Sequence, residues 1–362
     1  MPTPTTIGRL SVETLDIPLH TPFGIAGGTQ DTAQNLLVTV ELADGTRGYG
    51  EAAPFAAYNG ETQELARAAI EAARTKVEGA DVREWRRIAA TLYSAIGPVG
   101  SAQCAIETAL LDALTRHAHL PLWAFFGGVG TSLETDMTIP TGTTEQAATA
   151  AKDICGRGIR TIKLKIGASD LTTDVERVMA VHAIAPTASL ILDGNASFTA
   201  DSALQLLAVL KSNRVEPALF EQPVPKDDWA GLCQVTKWGN VPVAADESVH
   251  SSQDALRLVQ ERAAQVVNIK LMKCGIVEAL DIAALCRAAH VRLMIGGMVE
   301  SILAMTTSAC FAAGLGGFQY VDLDTPLFMA ENPFDGGFEQ AGGLLTLNHI
   351  QAGHGVEPKE TH

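Results

Sequence analysis

The sequence has no cluster of lysine or arginine along its 362 residues. Basic side chains number 26 against 41 acidic ones, and the formal net charge is −15. Proteins that bind the phosphates of nucleic acid or an anionic membrane surface carry the opposite balance. We therefore expect neither nucleic acid nor a membrane as a partner.

Long hydrophobic runs are missing as well. The stretch MPTPTTIGRLSVE lacks the apolar core of a secretory signal. The most apolar long stretch, SILAMTTSACFAAGLGGF, is interrupted by Ser, Thr and Gly, and is too short and polar to cross a bilayer. The six cysteines are scattered without a C-x-x-C motif, as expected of buried thiols in a reducing compartment. These features favour a cytoplasmic protein.

Two common cofactor motifs are also absent. None of the nine histidines forms an H-E-x-x-H pair, so we expect His117 and His119 to be surface or packing residues. The glycine cluster GLGGF at 314–318 does not follow a predicted strand, which argues against a nucleotide phosphate loop there.

The first 130 residues combine strand and helix patterns. LLVTVELADGTRGYGEA alternates on both sides of Asp44-Gly45, which predicts a hairpin. The segments 61–79 and 101–120 then place apolar residues at three- and four-residue spacing, as amphipathic helices do. A small α+β domain is predicted.

From about residue 135 the chain alternates short apolar runs with helix-length segments. This pattern indicates parallel βαβ units, and eight of them indicate a (β/α)8 barrel of the TIM type. A doubly wound sheet is the competing fold, disfavoured by the even spacing and the lack of a phosphate loop. The eight runs are ETDMTIP, TIKLKIG, LILDGN, ALFEQP, VPVAADES, VVNIKLM, VRLMIGG and FQYVDLD.

In five consecutive runs, the apolar part is followed by a charged residue, at the point where the predicted strand ends. Because the carboxyl ends of barrel strands meet at one mouth, these side chains are predicted to surround a common site. Each could be an ordinary loop charge, but five in succession are hard to explain structurally, since ionised groups are rarely buried unless paired. The residues are Lys165, Asp193, Glu221, Asp246 and Lys270.

This set suits proton transfer beside a metal. Three carboxylates without a nearby His or Cys are ligands typical of Mg²⁺. The two lysines lie on the flanking strands and should approach from opposite sides, each able to act as a base once its pKa is lowered. Such a site can remove a proton alpha to a carboxylate and return it on the other face, which racemises or epimerises the carbon.

Lys163 and Lys165 lie two residues apart, so a strand directs both to the same face. An edge strand with one solvated face would explain this pattern. In the functional interpretation, Lys163 disfavours the protonated form of Lys165 or donates to a substrate carboxylate.

In order and spacing, six motifs resemble the enolase superfamily, in its muconate-lactonising subgroup, over nearly the whole chain: GTRGYGEAAP, the K-x-K of TIKLKIG, DGN, FEQP, ADES and NIKLMKCG. The resemblance implies a capping domain at 1–130, a modified (β/α)7β barrel at 131–324, and a tail, 325–362, that rejoins the cap. DGN differs from the DAN of many members, but the aspartate is retained.

The resemblance also implies the role of each charged residue. It implies one Mg²⁺ held by Asp193, Glu221 and Asp246. It assigns acid and base roles to Lys165 and Lys270, and an auxiliary role to Lys163. A homo-oligomer is expected on the same basis.

The last run, YVDLDTP, suggests the substrate. Asp322 and Asp324 share a strand face, and this D-x-D resembles the pair with which dipeptide epimerases hold the free α-ammonium of a dipeptide. A solvated loop or a helix N-cap before Pro326 is the alternative. In MIGGMVES, Met298 is expected to pack along the dipeptide, and Glu300 to be a structural group or a contact.

The loop TPFGIAGGTQ should determine side-chain preference. Gly28 appears where Ala-Glu epimerases of the family have an arginine, so we expect a hydrophobic or aromatic C-terminal residue, with a cationic one second. In FAAYNGET, Phe55 and Tyr58 either line an apolar wall or pack within the cap; the sequence leaves both open.

Three other functions are considered. An N-acylamino acid racemase or o-succinylbenzoate synthase would share the metal and lysines but not need the D-x-D pair. A Schiff-base aldolase would use one lysine covalently. A non-catalytic binding barrel would not need the charged residues at five strand ends.

Overall fold

The computed structural model describes residues 3–25 and 28–359. It begins with an antiparallel sheet of three strands, β1 (Ile7–Ile25), β2 (Gly28–Leu42) and β3 (Arg47–Ala52). The predicted hairpin joins β2 to β3, with Gly45 at φ 89° in its turn. Strand β1 was not predicted.

Five helices complete the N-terminal region: α1 (Ala56–Asn59), α2 (Gln63–Val77), α3 (Trp85–Ile96), α4 (Gly100–His117) and α5 (Leu122–Phe125). The sheet lies directly on α4. A Cβ on Gly50 would stand 2.0 Å from the Ala105 carbonyl oxygen, so the glycines of GTRGYGEA permit this close approach. Almost all of α4 is buried as a result.

The second region contains eight parallel strands in sequential order. Each predicted run contains one of them, and the backbone N–H of Asp136 donates to the Val321 carbonyl at 2.9 Å, which joins the first strand to the last. After the short strand β4 (Ser132–Glu134), they are β5 (Met137–Ile139), β6 (Thr161–Lys165), β7 (Ser189–Asp193), β8 (Leu219–Glu221), β9 (Val243–Ala245), β10 (Val266–Ile269), β11 (Arg292–Ile295) and β12 (Phe318–Val321).

Seven helices connect these strands, which gives the (β/α)7β order. Their apolar faces cover the sheet in one continuous core. This fold matches the barrel prediction and rules out the doubly wound alternative. The helices are α6 (Thr144–Gly156), α7 (Leu171–Ile184), α8 (Ala200–Ser212), α9 (Trp229–Trp238), α10 (Ser252–Glu261), α11 (Leu271–Ala288) and α12 (Ile302–Leu315).

The C-terminal tail contacts both regions. It forms strands β13 (Phe334–Gly336), β14 (Glu339–Ala341), β15 (Leu344–Thr346) and β16 (Val356–Pro358). β15 pairs with β4, while the Arg116 guanidinium on α4 donates to the Val356 carbonyl at 2.7 Å. The domain limits 1–130, 131–324 and 325–362 stay predictions.

The apolar stretch and the cysteines differ in how well they match the expectations from the sequence. The apolar stretch at 301–318 forms the buried helix α12, and none of the helices in the described residues is long and apolar enough to cross a membrane. The expectation of buried thiols is wrong for half of the cysteines. Cys155 is exposed, while Cys233 and Cys274 are partly exposed and pack against the core.

Candidate active site

The charged residues predicted at the strand ends meet at one mouth of the barrel. In the parallel register, Lys165 pairs with Asp193, and Asp193 pairs with Glu221. Asp246 directly follows β9, and Lys270 directly follows β10. All five residues are at most 6% exposed. Burial of this many charges is costly unless they neutralise one another or bind an ion.

Two lysine ammonium groups share one carboxylate oxygen. Lys163 Nζ lies 3.1 Å from Asp193 Oδ2, and Lys165 Nζ lies 3.0 Å from the same atom. Lys163 Nζ also lies 2.9 Å from Glu221 Oε2 and 2.6 Å from Asp322 Oδ2. Lys163 is therefore a buried cation among three acids, and the solvated edge strand considered from the sequence is wrong.

The other lysine approaches from the opposite side. β6 and β10 are four places apart in the eight-strand order, which is half-way round a closed barrel. Lys270 Nζ lies 2.7 Å from Asp246 Oδ2. The strands between them carry the three acids, so the two lysines flank the carboxylates.

Burial and the neighbouring charges shift the pKa values of the three acids in opposite directions. Burial raises the pKa of Asp193 and Asp246, but the neighbouring lysines outweigh it and hold both below the usual range. For Glu221, burial and the nearby Asp193 carboxylate prevail and raise the pKa to about 7.

The pKa of Lys270 differs from the sequence-based expectation of a lowered value. Burial does act to lower the pKa of Lys270, as it does that of Lys163. The surrounding carboxylates are stronger, Asp193 for Lys163 and Asp246 for Lys270, and both pKa values are raised. With these ion pairs in place, both side chains are held as ammonium ions.

The donor set fits a divalent cation. Glu221 Oε2 and Asp246 Oδ2 are buried and have an ammonium nitrogen within 3 Å, yet neither accepts a hydrogen bond of acceptable angle. These two oxygens interact with the lysine ammonium groups through charge rather than through a hydrogen bond. A hard cation such as Mg²⁺ can provide the same interaction. In the described part of the chain, Asp193, Glu221 and Asp246 do not bring one oxygen each within 4.8 Å of the others. Lys163 contacts both Asp193 and Glu221, while Lys270 contacts Asp246.

Further side chains fix the acids, and the sequence did not single them out. The Asn268 amide donates to Glu221 Oε1 at 2.7 Å. Lys273 Nζ donates to Asp246 Oδ1 at 2.9 Å and to the Asn268 carbonyl at 2.8 Å. Asn195 Oδ1 accepts from Lys165 at 3.2 Å. Each belongs to a motif quoted above, but only the fold shows which charged side chain it contacts.

The D-x-D residues are buried, which makes the solvated-loop alternative wrong. Asp322 pairs with Lys163, and Asp324 Oδ2 accepts from the Thr138 backbone at 2.6 Å. The Asp324 side chain makes no capping bond to the 3-10 helix at Thr325–Phe328, so the N-cap alternative is also wrong within the described residues.

A cavity opens at this mouth. Met298 lies in its wall, and its backbone N–H is held by Glu300 Oε1 at 2.6 Å, which gives Glu300 a structural contact. The loop residues 26 and 27 lie outside the described part of the chain; Gly28 begins β2 opposite Ile25, and its role stays a prediction. The lining residues are Phe55, Tyr58, Thr138, Lys163, Lys165, Asn195, Lys270, Gly297, Met298, Asp322, Asp324 and Thr325.

Comparison with known families supports the arrangement. Residues 145–362 match the enolase C-terminal domain-like family, and residues 9–127 match the mandelate racemase / muconate lactonizing enzyme N-terminal domain. The chain belongs to the mandelate racemase / muconate lactonizing enzyme family of the enolase superfamily. The resemblance expected from the motifs is thus confirmed.

Three relatives of this family are informative. A Herpetosiphon aurantiacus protein named aromatic dipeptide epimerase is 54% identical, over 98% of this chain and 99% of that protein. A Roseiflexus sp. family member has a crystal structure with a TM-score of 0.95 and 62% identity, covering 100% of both chains. An Enterococcus faecalis dipeptide epimerase, solved with Mg and the dipeptide L-Leu-L-Tyr, has a TM-score of 0.93 and 32% identity, covering 97% of this chain and 99% of that one.

Proposed function

We propose that this protein is a Mg²⁺-dependent dipeptide epimerase that inverts the α-carbon of the C-terminal residue of an L,L-dipeptide. The observation that carries the proposal is the placement of Lys165 and Lys270 in the wall of one cavity, half-way round the barrel from each other, with three buried carboxylates between them. Two such groups can serve the two faces of one carbon.

Asp193, Glu221 and Asp246 would hold the Mg²⁺. When bound, the ion supplies positive charge that offsets the carboxylates, lowers the pKa of the adjacent lysines and stabilises negative charge on a substrate carboxylate. Asn268 and Lys273 keep Glu221 and Asp246 in position through the contacts described above.

The chain's own residues carry out the proton transfer. One lysine, as a neutral amine, takes the α-proton, and the other, as an ammonium, delivers a proton to the opposite face of the enediolate. Lys163 differs from both because it contacts three acids at once, which suits a fixed positive charge beside the substrate carboxylate rather than a proton carrier.

Asp322 and Asp324 would bind the N-terminal ammonium of the dipeptide. Both are buried and line the cavity beside Thr138, and Asp324 Oδ1 is without a hydrogen bond in the described structure. A free amine satisfies such a group, whereas an anionic N-succinyl group would be repelled. This favours a dipeptide over the substrates of N-acylamino acid racemases and o-succinylbenzoate synthases.

A hydrophobic or aromatic C-terminal side chain fits best. Phe55 and Tyr58 lie in the cavity wall, and Gly28 stands where an arginine is expected for Ala-Glu substrates. The name of the Herpetosiphon relative and the L-Leu-L-Tyr bound to the Enterococcus relative support the same preference.

A mass-spectrometric screen of L,L-dipeptides in D₂O tests the proposal. We expect deuterium at the α-carbon of the C-terminal residue, together with inversion, and loss of both in the presence of a chelator. Deuterium at the N-terminal residue would contradict the assigned orientation. Trapping of a lysine by borohydride, with activity retained in chelator, would instead support the Schiff-base alternative.

Asp324→Asn distinguishes a dipeptide from an N-acyl substrate. Asp324 is the better position because Asp322 also holds Lys163, so its loss would mix two effects. We expect the variant to lose dipeptide turnover and to retain any activity on an N-acylamino acid. Equal losses on both substrates would contradict the amine-binding role.

We also propose that the enzyme is a cytoplasmic homo-oligomer. The scattered thiols and the family resemblance support this. Light scattering after size-exclusion chromatography would measure the assembly directly, and a monomeric mass would contradict the proposal.

A further inference from the structure

Asp136 is a buried acid that takes no part in the proposed metal binding, proton transfer or substrate binding. It lies between β4 and β5 and is 1% exposed. Neither of its carboxylate oxygens has a hydrogen-bond partner among the described residues. Buried carboxylates are almost always hydrogen-bonded or paired, so this side chain is missing a cationic or donor partner.

The neighbours of Asp136 are also acids. One oxygen each from Asp136, Asp322 and Asp324 lie within 4.8 Å of one another. The seam of the barrel brings them together, because β5 and β12 are its first and last strands. Burial and the charges of Asp322 and Asp324 raise the pKa of the Asp136 carboxyl well above its ordinary value.

The cation closest to this cluster does not neutralise it. Lys163 Nζ lies 2.6 Å from Asp322 but is shared with Asp193 and Glu221. Asp324 Oδ1 has no hydrogen bond in the described structure, and Asp324 lines the cavity whereas Asp136 lies behind it. The cluster therefore presents an excess of negative charge to the cavity through Asp322 and Asp324.

We infer that Asp136 is a positioning residue of the amine-binding end of the site: through Asp322 and Asp324 it makes that end selective for a substrate with a free ammonium group. The inference rests on the proposed function. An ammonium ion fits the cluster better than a second metal ion, because among the described residues the cation that contacts Asp322 is already an ammonium, that of Lys163.

Asp136→Asn tests this with a matched pair of ligands. One is an L-alanyl dipeptide substrate, and the other is its des-amino analogue, a propanoyl-amino acid, measured as a competitive inhibitor. We expect the KM of the dipeptide to rise about tenfold with kcat nearly unchanged, since the amide cannot ionise beside the bound ammonium as the Asp136 carboxyl group can. The Ki of the des-amino analogue should not change.

Asp112→Asn is the control for simple loss of a buried acid. Asp112 is 0% exposed but well partnered, by Arg116 at 2.7 Å and by the Tyr49 and His354 backbone. Its replacement should lower Tm and leave the ratio of KM to Ki unchanged. Asp136→Asn should leave Tm unchanged or raise it, because a buried carboxyl group without a hydrogen-bond partner among the described residues disappears.

Three results would overturn the inference. Equal weakening of both ligands with a lowered Tm would make Asp136 a structural residue, and unchanged KM and Ki would give it no role in selectivity. Calorimetry that finds two Mg²⁺ per wild-type chain and one per variant would make the cluster a metal site. If the wild type turned over no dipeptide at all, the proposed function would fail, which is a separate outcome.

Discussion

The ammonium nitrogen of Lys270 lies 4.9 Å from the centre of the Tyr58 ring, on its face. Tyr58 comes from helix α1 in the N-terminal region, and its hydroxyl donates to Asp246 Oδ1 at 3.2 Å. The sequence left open whether Tyr58 packs or lines the site, and the structure places it against a proposed catalytic lysine and a proposed metal ligand. The N-terminal region thus completes the site formed by the barrel.

The Tyr58 ring should matter more than its hydroxyl. Tyr58→Phe keeps the ring, and Asp246 Oδ1 keeps its bond to Lys273, so we expect kcat/KM to stay within about threefold. Tyr58→Leu removes the ring from Lys270, and we expect a loss of about tenfold, somewhat more than an exposed cation–π contact contributes. Steady-state kinetics on one dipeptide measures both. A larger loss in the Phe variant than in the Leu variant would contradict this ranking.

Each proposed catalytic lysine should serve one face of the α-carbon. Lys165→Ala and Lys270→Ala should each reduce epimerisation by about 10²- to 10⁴-fold, the usual contribution of a general acid or base. The lysine that remains should still exchange the α-proton of one diastereomer in D₂O, and the two variants should select opposite diastereomers. NMR of the α-proton follows this exchange. Loss of exchange with both diastereomers in both variants would contradict the two-base arrangement.

The barrel and its charged ring could be predicted from the sequence because their signals are local. Each strand is a short apolar run, and the charge at its end lies within the same few residues. β1 was missed, and this strand includes Pro18 and Pro22, which interrupt an ordinary strand pattern.

Contacts between the first and last strands of the barrel could not be predicted from local sequence patterns. Asp136 precedes its strand rather than following it, so a search of strand ends passes over it. Its proximity to Asp322 depends on closure between the first and last strands, which are far apart in sequence. The ion pair between Lys163 and Asp322 depends on the same closure. Sequence spacing cannot supply such distances.

Asn268 should affect metal affinity without touching the metal. It holds Glu221 Oε1 at 2.7 Å, and Asn268→Leu would leave that oxygen without a donor. We expect the Mg²⁺ affinity, measured by calorimetry, to fall by about 10- to 100-fold, as for other residues that orient metal ligands. Asn213→Leu, at an exposed asparagine, is the control. An unchanged affinity in Asn268→Leu would mean that Glu221 is not a ligand or does not need this support.

Glu107 should make stability depend on pH. It belongs to α4, and its Oε2 accepts from the backbone N–H groups of Ile276 and Val277 in α11 at 2.6 and 2.9 Å, just after the kink at Gly275. Burial outweighs these bonds and raises its pKa from 4.5 to about 7. The folded protein therefore binds more protons than the unfolded chain between these pH values, and the contribution of Glu107 to stability falls as pH rises through that window.

Glu107→Gln removes this titration. At pH 5 the wild-type side chain is a neutral acid, and the variant should have nearly the same free energy of unfolding. At pH 8 the wild type carries a buried charge, and the variant should be more stable by up to about 3 kcal/mol, the value of a pKa difference of this size. Urea unfolding at both pH values measures the difference. The control is Glu176→Gln, at an exposed position, which should change the free energy of unfolding by the same small amount at both pH values. If the stability difference between Glu107→Gln and the wild type were independent of pH, the Glu107 carboxyl group would not titrate in this range.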